Sequence, residues 1–257
     1  MLSSRLAAFA GLFLLAGCGA PTSRDGIAAA CEKIVFEESD FTVCRAEPGK
    51  HSLLLVARGV DGKPMRNFDT LNTRMGDRFS RVAFAMNAGM FDATGRPIGY
   101  YVEDGVVQTP LNRKDGPGNF HMKPNGVFYG DAAGWHVATT EAFARSKPDH
   151  VRFGTQSGPM LVIAGQIHPD ISPNGTSLQT RNGVGVSADG SAWFAISDEP
   201  VSFGRFARLF RDRLKAPDAL YLDGAVSRLW DPVAARKDGG AEIGPIVVAI
   251  QRQQPAP

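Results

Sequence analysis

Glycine and proline decide most of what this chain can become. Twenty-nine glycines and 17 prolines are spread through 257 residues. Each weakens a helix whose interior it interrupts, so a helical bundle or coiled coil is excluded. Between them lie short apolar runs bounded by Gly, Asn and Asp, at 52–57, 82–86, 98–102, 106–108, 126–129, 135–137, 160–163, 184–187, 192–196, 219–222 and 246–250. Such runs have the length and punctuation of buried strands. Glu103-Asp104-Gly105 and Ser187-Ala188-Asp189-Gly190 read as hairpin turns in which Gly takes a positive φ.

Helices are expected at three places. Residues 27–35 have helical spacing, residues 67–79 have it behind Asn67 as N-cap, and a third stretch follows Ser202. In that third stretch Phe203, Phe206, Ala207, Phe210 and Leu214 share one face, and Pro217 ends it. The expected class is therefore α+β: a single domain with a mixed, largely antiparallel sheet core and a few flanking helices.

The amino terminus reads as an address. Arg5 precedes an apolar run at 6–16 that is too short for a permanent membrane span but suits the core of an export signal. It closes on Leu15-Ala16-Gly17-Cys18, which resembles the bacterial lipoprotein signal, whose Cys is lipidated after cleavage. That resemblance implies a signal peptide at 1–17, a lipidated tether at 18–26, attachment to the membrane through Cys18, and a periplasmic location at the outer membrane. With Cys18 consumed, Cys31 and Cys44 are left in an oxidising compartment and are expected to pair within an N-terminal segment at 27–51, against the alternative of two separate buried thiols. Closing so short a loop is worth roughly 3 kcal/mol in the chain-entropy picture.

A formal charge of +2 with no basic block gives no footing for a nucleic-acid backbone. The five histidines are scattered singly, and neither Cys31 nor Cys44 has a metal-ligand partner at useful spacing, so no metal site is assigned, although a divalent cation stays open. A serine-hydrolase elbow is absent, since Gly154-Thr155-Gln156-Ser157-Gly158 has the wrong spacing. Gly183-Val184-Gly185 likewise lacks the third Gly of a dinucleotide site.

What remains is a succession of polar, Gly-bearing turns directly after apolar runs, where strands deliver side chains to a cleft. They begin at Met86, Lys123, Gln156, Thr180 and Tyr221. Taken singly, each is an ordinary turn. In order, Asn87 to Phe91, Ser157-Gly158, Arg181 with Gly183 and Gly185, and Leu222 to Ser227 resemble the signatures of the phosphodiester glycosidase family, over about residues 52–250. Two departures stand out: Ala88 replaces the middle Gly of the first signature, and Ala225-Val226 replaces two Gly of the last.

The resemblance implies a domain at 52–251 that hydrolyses the bond between a sugar and a phosphodiester in a glycan or glycoconjugate. Such a leaving group already carries negative charge well, so charge stabilisation outweighs a strong proton donor. Arg181 is the expected phosphate fork and Asp223 the expected carboxylate facing the oxocarbenium-like centre. Asn87, Asn125, Ser157 and Ser227 would orient hydroxyls or phosphate oxygens, Gly89 and Gly158 would turn N–H groups toward an anion, and Gly224 would let substrate approach. Asp92, Glu103, Asp198 and Glu199 compete for the place of a second carboxylate, His121 and His168 for proton transfer, and Tyr100, Phe120, Trp193 and Trp230 for stacking on sugar. The rival expectation is a non-catalytic lipoprotein that binds glycan or peptidoglycan on the same fold.

Overall fold

The computed structural model describes residues 27–253. Strand pairing is antiparallel throughout, and the described strands form three sheets. The first, of seven strands, runs in the order β1 (Cys31–Phe36), β2 (Ser39–Ala46), β13 (Ala192–Ser197), β12 (Asn182–Val186), β14 (Asp218–Asp223), β10 (Met160–Ile163) and β11 (Gln166–Ile167). The second runs β16 (Arg236–Lys237), β15 (Leu229–Asp231), β4 (Val82–Asn87), β17 (Ile246–Gln251) and β3 (His51–Val56). The third runs β6 (Val106–Thr109), β5 (Tyr101–Glu103), β9 (Phe153–Ser157), β7 (Gly126–Gly130) and β8 (Trp135–Thr139). The α+β class and the single domain hold, with connections punctuated by Gly at positive φ such as Gly105 and Gly190.

Alternation along the strands sorts side chains into separate cores. Val184, Phe194, Leu220 and Leu222 of the first sheet pack with Leu55, Phe84 and Val247 of the second and Phe128 and Phe153 of the third. Phe194 lies 5.3 Å from Phe84 and 5.6 Å from Phe128, ring centre to ring centre, which joins the three sheets at one point. The opposite face of the first sheet, with Phe41, Leu161, Ala219 and Tyr221, is covered by Phe206 of helix α3 (Phe203–Arg208) and by Phe210 just beyond it.

That helix starts where expected: the Ser202 hydroxyl accepts the Arg205 N–H at 3.2 Å. It continues as a π turn over Leu209–Arg213. Two other helical expectations fail. Residues 31–36 form strand β1, because the hairpin to β2 pairs Cys31 directly with Cys44 and the two are disulfide-bonded. Backbone pairing and the covalent link override the spacing of Ile27, Cys31 and Ile34. Residues 67–79 give only a short helix α1 (Leu71–Met75) and a 3-10 stretch at Gly76–Arg81. Asn67 closes its own turn on the Asp69 N–H at 2.8 Å and caps nothing. A third short helix, α2, spans Thr140–Ser146. Cys18 and the segments at 1–17 and 18–26 lie outside the described residues.

Candidate active site

The ends of β4, β9, β12 and β14 meet where the three sheets converge, and each brings a polar residue to the junction. Asn182 opens β12 and acts as the hub. Its Nδ2 donates to the Asn87 backbone O at 2.9 Å and to Asn87 Oδ1 at 3.0 Å, while its Oδ1 accepts the Asp223 N–H at 2.9 Å. Asn87, at the end of β4, donates from Nδ2 to Val226 O at 2.6 Å and accepts the Arg228 N–H at 2.7 Å. Ser227 Oγ lies 3.1 Å from Thr180 O and 3.2 Å from Asp223 O, and Ser157 Oγ donates to Leu222 O at 2.7 Å. Asn87, Ser157, Asn182, Asp223 and Ser227 are all buried. Polar groups buried with their partners satisfied fix a geometry, since breaking any one bond strands another group.

Asp223 differs from the rest of the cluster. Its Oδ1 accepts the N–H groups of Gly224 at 2.6 Å, Ala225 at 2.9 Å and Val226 at 3.4 Å, whereas among the described residues no donor reaches Oδ2. Burial, with the side chain only 6% exposed, raises its pKa above the usual Asp value, and the three N–H groups oppose that rise. One oxygen is thus clamped in place while the other keeps its lone pairs. Gly224 is needed for close packing: a Cβ there would sit 1.5 Å from the Tyr221 hydroxyl.

Arg181 precedes Asn182 and therefore points to the opposite face, under α3. It is 1% exposed. Its Nε donates to Val201 O at 2.8 Å, Nη1 to the Tyr221 hydroxyl at 3.2 Å and Nη2 to Ser177 O at 2.8 Å, and the guanidinium lies 3.6 Å above the Phe203 ring. Burial lowers its pKa, and among the described residues no carboxylate pairs with it. The expected phosphate fork is corrected on this point: its donors are committed to the protein and its head is sealed. Through Tyr221, whose hydroxyl abuts Gly224, Arg181 instead props the turn that holds Asp223.

The remaining expected site residues are engaged by other neighbours or lie exposed. The Gly89 N–H donates to Thr155 Oγ1 at 3.2 Å and so does not face an anion. Asn125 donates to Phe120 O at 2.8 Å, and a Cβ at Gly158 would lie 2.7 Å from Asn125 Cβ. These two stand behind Ser157, where Asn125 also lines a cavity of about 290 Å³ with Arg113, Lys123 and Glu141. Glu103 is held by Arg74 at 2.7 Å, Tyr101 and the Ala57 N–H. Asp198 is held by Arg236 at 2.6 Å, and Asp92 closes its own turn with a pKa lowered to about 2 by the Thr94 hydroxyl and the Arg96 N–H. Glu199 is exposed. Trp230 stacks on Phe79, Tyr100 packs at a tilt against Phe143, and Trp193 carries Arg45 over its ring, so these aromatics pack on protein neighbours. Among the described residues, no three His, Cys, Asp or Glu side chains gather as a metal site.

Residues 80–242, more than half of the chain, match the family model described as phosphodiester glycosidase. The chain belongs to this family. The uncharacterized protein YigE from Escherichia coli K12 is 40% identical over 165 residues, 63% of this chain and 63% of that protein. The match thus spans less than two thirds of that relative. Of solved structures, the zebrafish N-acetylglucosamine-1-phosphodiester alpha-N-acetylglucosaminidase catalytic domain, auto-inhibited by its pro-peptide, superimposes with a TM-score of 0.59 at 15% identity, over 87% of this chain and 82% of that one. A hypothetical protein from Synechocystis gives 0.53 at 15% identity, over 86% and 61%. At such identity the likeness is one of fold.

This chain's departures from the family signatures do not call for glycine's positive φ. Ala88, Ala225 and Val226 all keep negative φ, and the last two still donate to Asp223. Sequence reasoning missed two residues here, Asn182 and Arg228. Asn182 stood in plain view beside Arg181, but Asn-Gly reads as a turn, and only the strand register shows its amide wiring two sheets together. Arg228 carried no signal beyond following Ser227.

Proposed function

We propose that the protein hydrolyses a glycosyl phosphodiester in a glycan or glycoconjugate, with Asp223 as the carboxylate that meets the developing positive charge on the sugar. The observation that carries this is the asymmetry of Asp223: a buried carboxylate with Oδ1 clamped by three backbone N–H groups and Oδ2 left without a donor. A carboxylate so fixed stabilises an oxocarbenium-like centre without reorganising, whether as nucleophile or as base toward water. Asn87, Asn182 and Ser227 hold it in register, and Arg181 with Tyr221 holds its turn from behind. Membership of the family supports the reaction class.

The test is hydrolysis of a panel of sugar-1-phosphodiesters by the protein and by Asp223→Asn. Turnover that this substitution abolishes is expected. Turnover unaffected by it removes Asp223 from the chemistry, and no turnover on any diester favours a glycan-binding lipoprotein instead. The proposal extends to location: an exported protein lipidated at Cys18 and held at the periplasmic face of the outer membrane. Palmitate labelling that Cys18→Ser abolishes is the expected result; labelling of both forms overturns it.

A further inference from the structure

With Arg181 sealed away, the proposed reaction lacks a cation for its phosphate. We infer that Arg228 supplies it; this rests on the reading of the substrate as a phosphodiester. Arg228 sits directly on the cluster, its N–H donating to Asn87 Oδ1 at 2.7 Å and its carbonyl accepting the Asn87 N–H at 3.3 Å. Ser227, one residue before it, contacts the Asp223 backbone.

The side chain is unusual in what it lacks. Nε is buried without a hydrogen-bond partner, and among the described residues no carboxylate pairs with the guanidinium. The acidic groups of the neighbouring loop are taken: Asp238 by Arg236 at 3.0 Å and by the Leu229 N–H at 2.9 Å, and Glu242 by Arg66 at 3.5 Å. A buried charge without a partner is a standing cost that a bound anion offsets.

The head nevertheless has a close neighbour. It lies over Gly240, which sits at φ +106°, and a Cβ there would come within 2.5 Å of Arg228 Nη2. Any other residue at 240 would be strained and would push the guanidinium off its seat. Nε is buried, so the fork open to a phosphate is the pair of Nη groups, which matches two oxygens of one phosphate. Arg228 is bonded to Asn87 and Asp223 to Asn182, and the two amides bond to each other, so both residues belong to one hydrogen-bonded cluster, on which the inferred phosphate and sugar positions are neighbours.

The experiment uses the full chain in two arms. In the first, the arginine Nε–H resonances are followed while inorganic phosphate is added. One resonance, absent from Arg228→Gln, should move. In the second, sugar-1-phosphodiester kinetics should show KM raised about 100-fold in Arg228→Gln, and about tenfold in Arg228→Lys, which keeps charge but loses the fork. The change in kcat should be far smaller, because Asp223 is untouched. Phosphate binding that persists in Arg228→Gln, or an unchanged KM, overturns the inference while leaving the hydrolase reading intact. Phosphate binding through Arg228 in a protein that turns over no diester keeps the inference and sinks that reading. If Arg228→Gln does not fold, Arg228→Lys and the wild-type titration decide alone, an unmoved resonance being the adverse result.

Discussion

Arg181 and Asn182 are consecutive, yet they belong to two different regions. On one side of the first sheet, Asn182 joins Asn87, Asp223 and Ser227 at the strand ends; on the other, Arg181 lies under α3 between Phe203 and Tyr221. Both are buried, but the charged residue spends its donors on the protein, while the neutral amide accepts the backbone N–H of Asp223, the candidate carboxylate. A buried cation with all its bonds made inside the protein organises a turn, while a neutral amide that donates and accepts at once can hold a carboxylate without neutralising it. Charge is therefore a poor guide to which face of this strand does chemistry.

Asp223→Asn breaks the strand-end region most severely. The amide keeps an oxygen for the three N–H groups but loses the negative charge, so kcat/KM for a glycosyl phosphodiester should fall by about 10³-fold or more with the fold retained. Steady-state kinetics beside circular dichroism check this. Asn182→Ala comes second. It strips partners from Asn87 and from the Asp223 N–H, leaving buried groups unsatisfied, and should lower stability by about 2–4 kcal/mol in denaturant unfolding while activity drops about 100-fold.

The same contrast explains what was legible in the sequence. Strands bounded by Gly and Asp, and the helix behind Ser202, could be read because local pattern and tertiary packing agree there. Residues 31–36 could not, because helical spacing at Ile27, Cys31 and Ile34 loses to the pairing of Cys31 with Cys44. At the candidate site, Asp223, Asn87 and Ser227 were singled out because they lie in polar turns that follow apolar runs, and the structure gathers them around Asn182. Their wiring was not legible, since which of two adjacent residues faces the junction depends on a register shift between β12 and β14 at Asn182 and Gly183. Arg181 drew attention for its charge, which says nothing about the face it takes.

Arg181→Met sharpens the comparison from the other side. Methionine fills much of the volume beneath α3 but leaves Ser177 O and the Tyr221 hydroxyl without the donor Arg181 gave them, and Val201 O with only the Gln179 N–H, so a loss of about 1–3 kcal/mol is expected in denaturant unfolding. KM for the diester should move by less than about threefold, because removing a group that never touches the phosphate leaves its binding energy in place. A KM rise matching that of Arg228→Gln would return Arg181 to the substrate.

The smallest effect concerns Asp223 and pH. Its folded pKa is raised by burial, so the fold favours the protonated carboxyl. The stabilising contribution is full below the ordinary Asp pKa and is lost as pH rises through the raised, folded value. At neutral pH the ionised side chain is a burden that Asp223→Asn lacks. The inactive variant should thus melt slightly higher than the wild type at pH 7, and the difference should vanish in acid, below the ordinary Asp range. Melting curves across that window test it, and equal melting at every pH would show that the fold bears no burden for keeping Asp223 charged. The activity profile has to move with it: kcat/KM should fall on the acid side through a pKa above that of an exposed Asp, because only the ionised carboxylate serves the reaction. Site and scaffold then pull in opposite directions on one proton, as expected where a charge is held buried for chemistry.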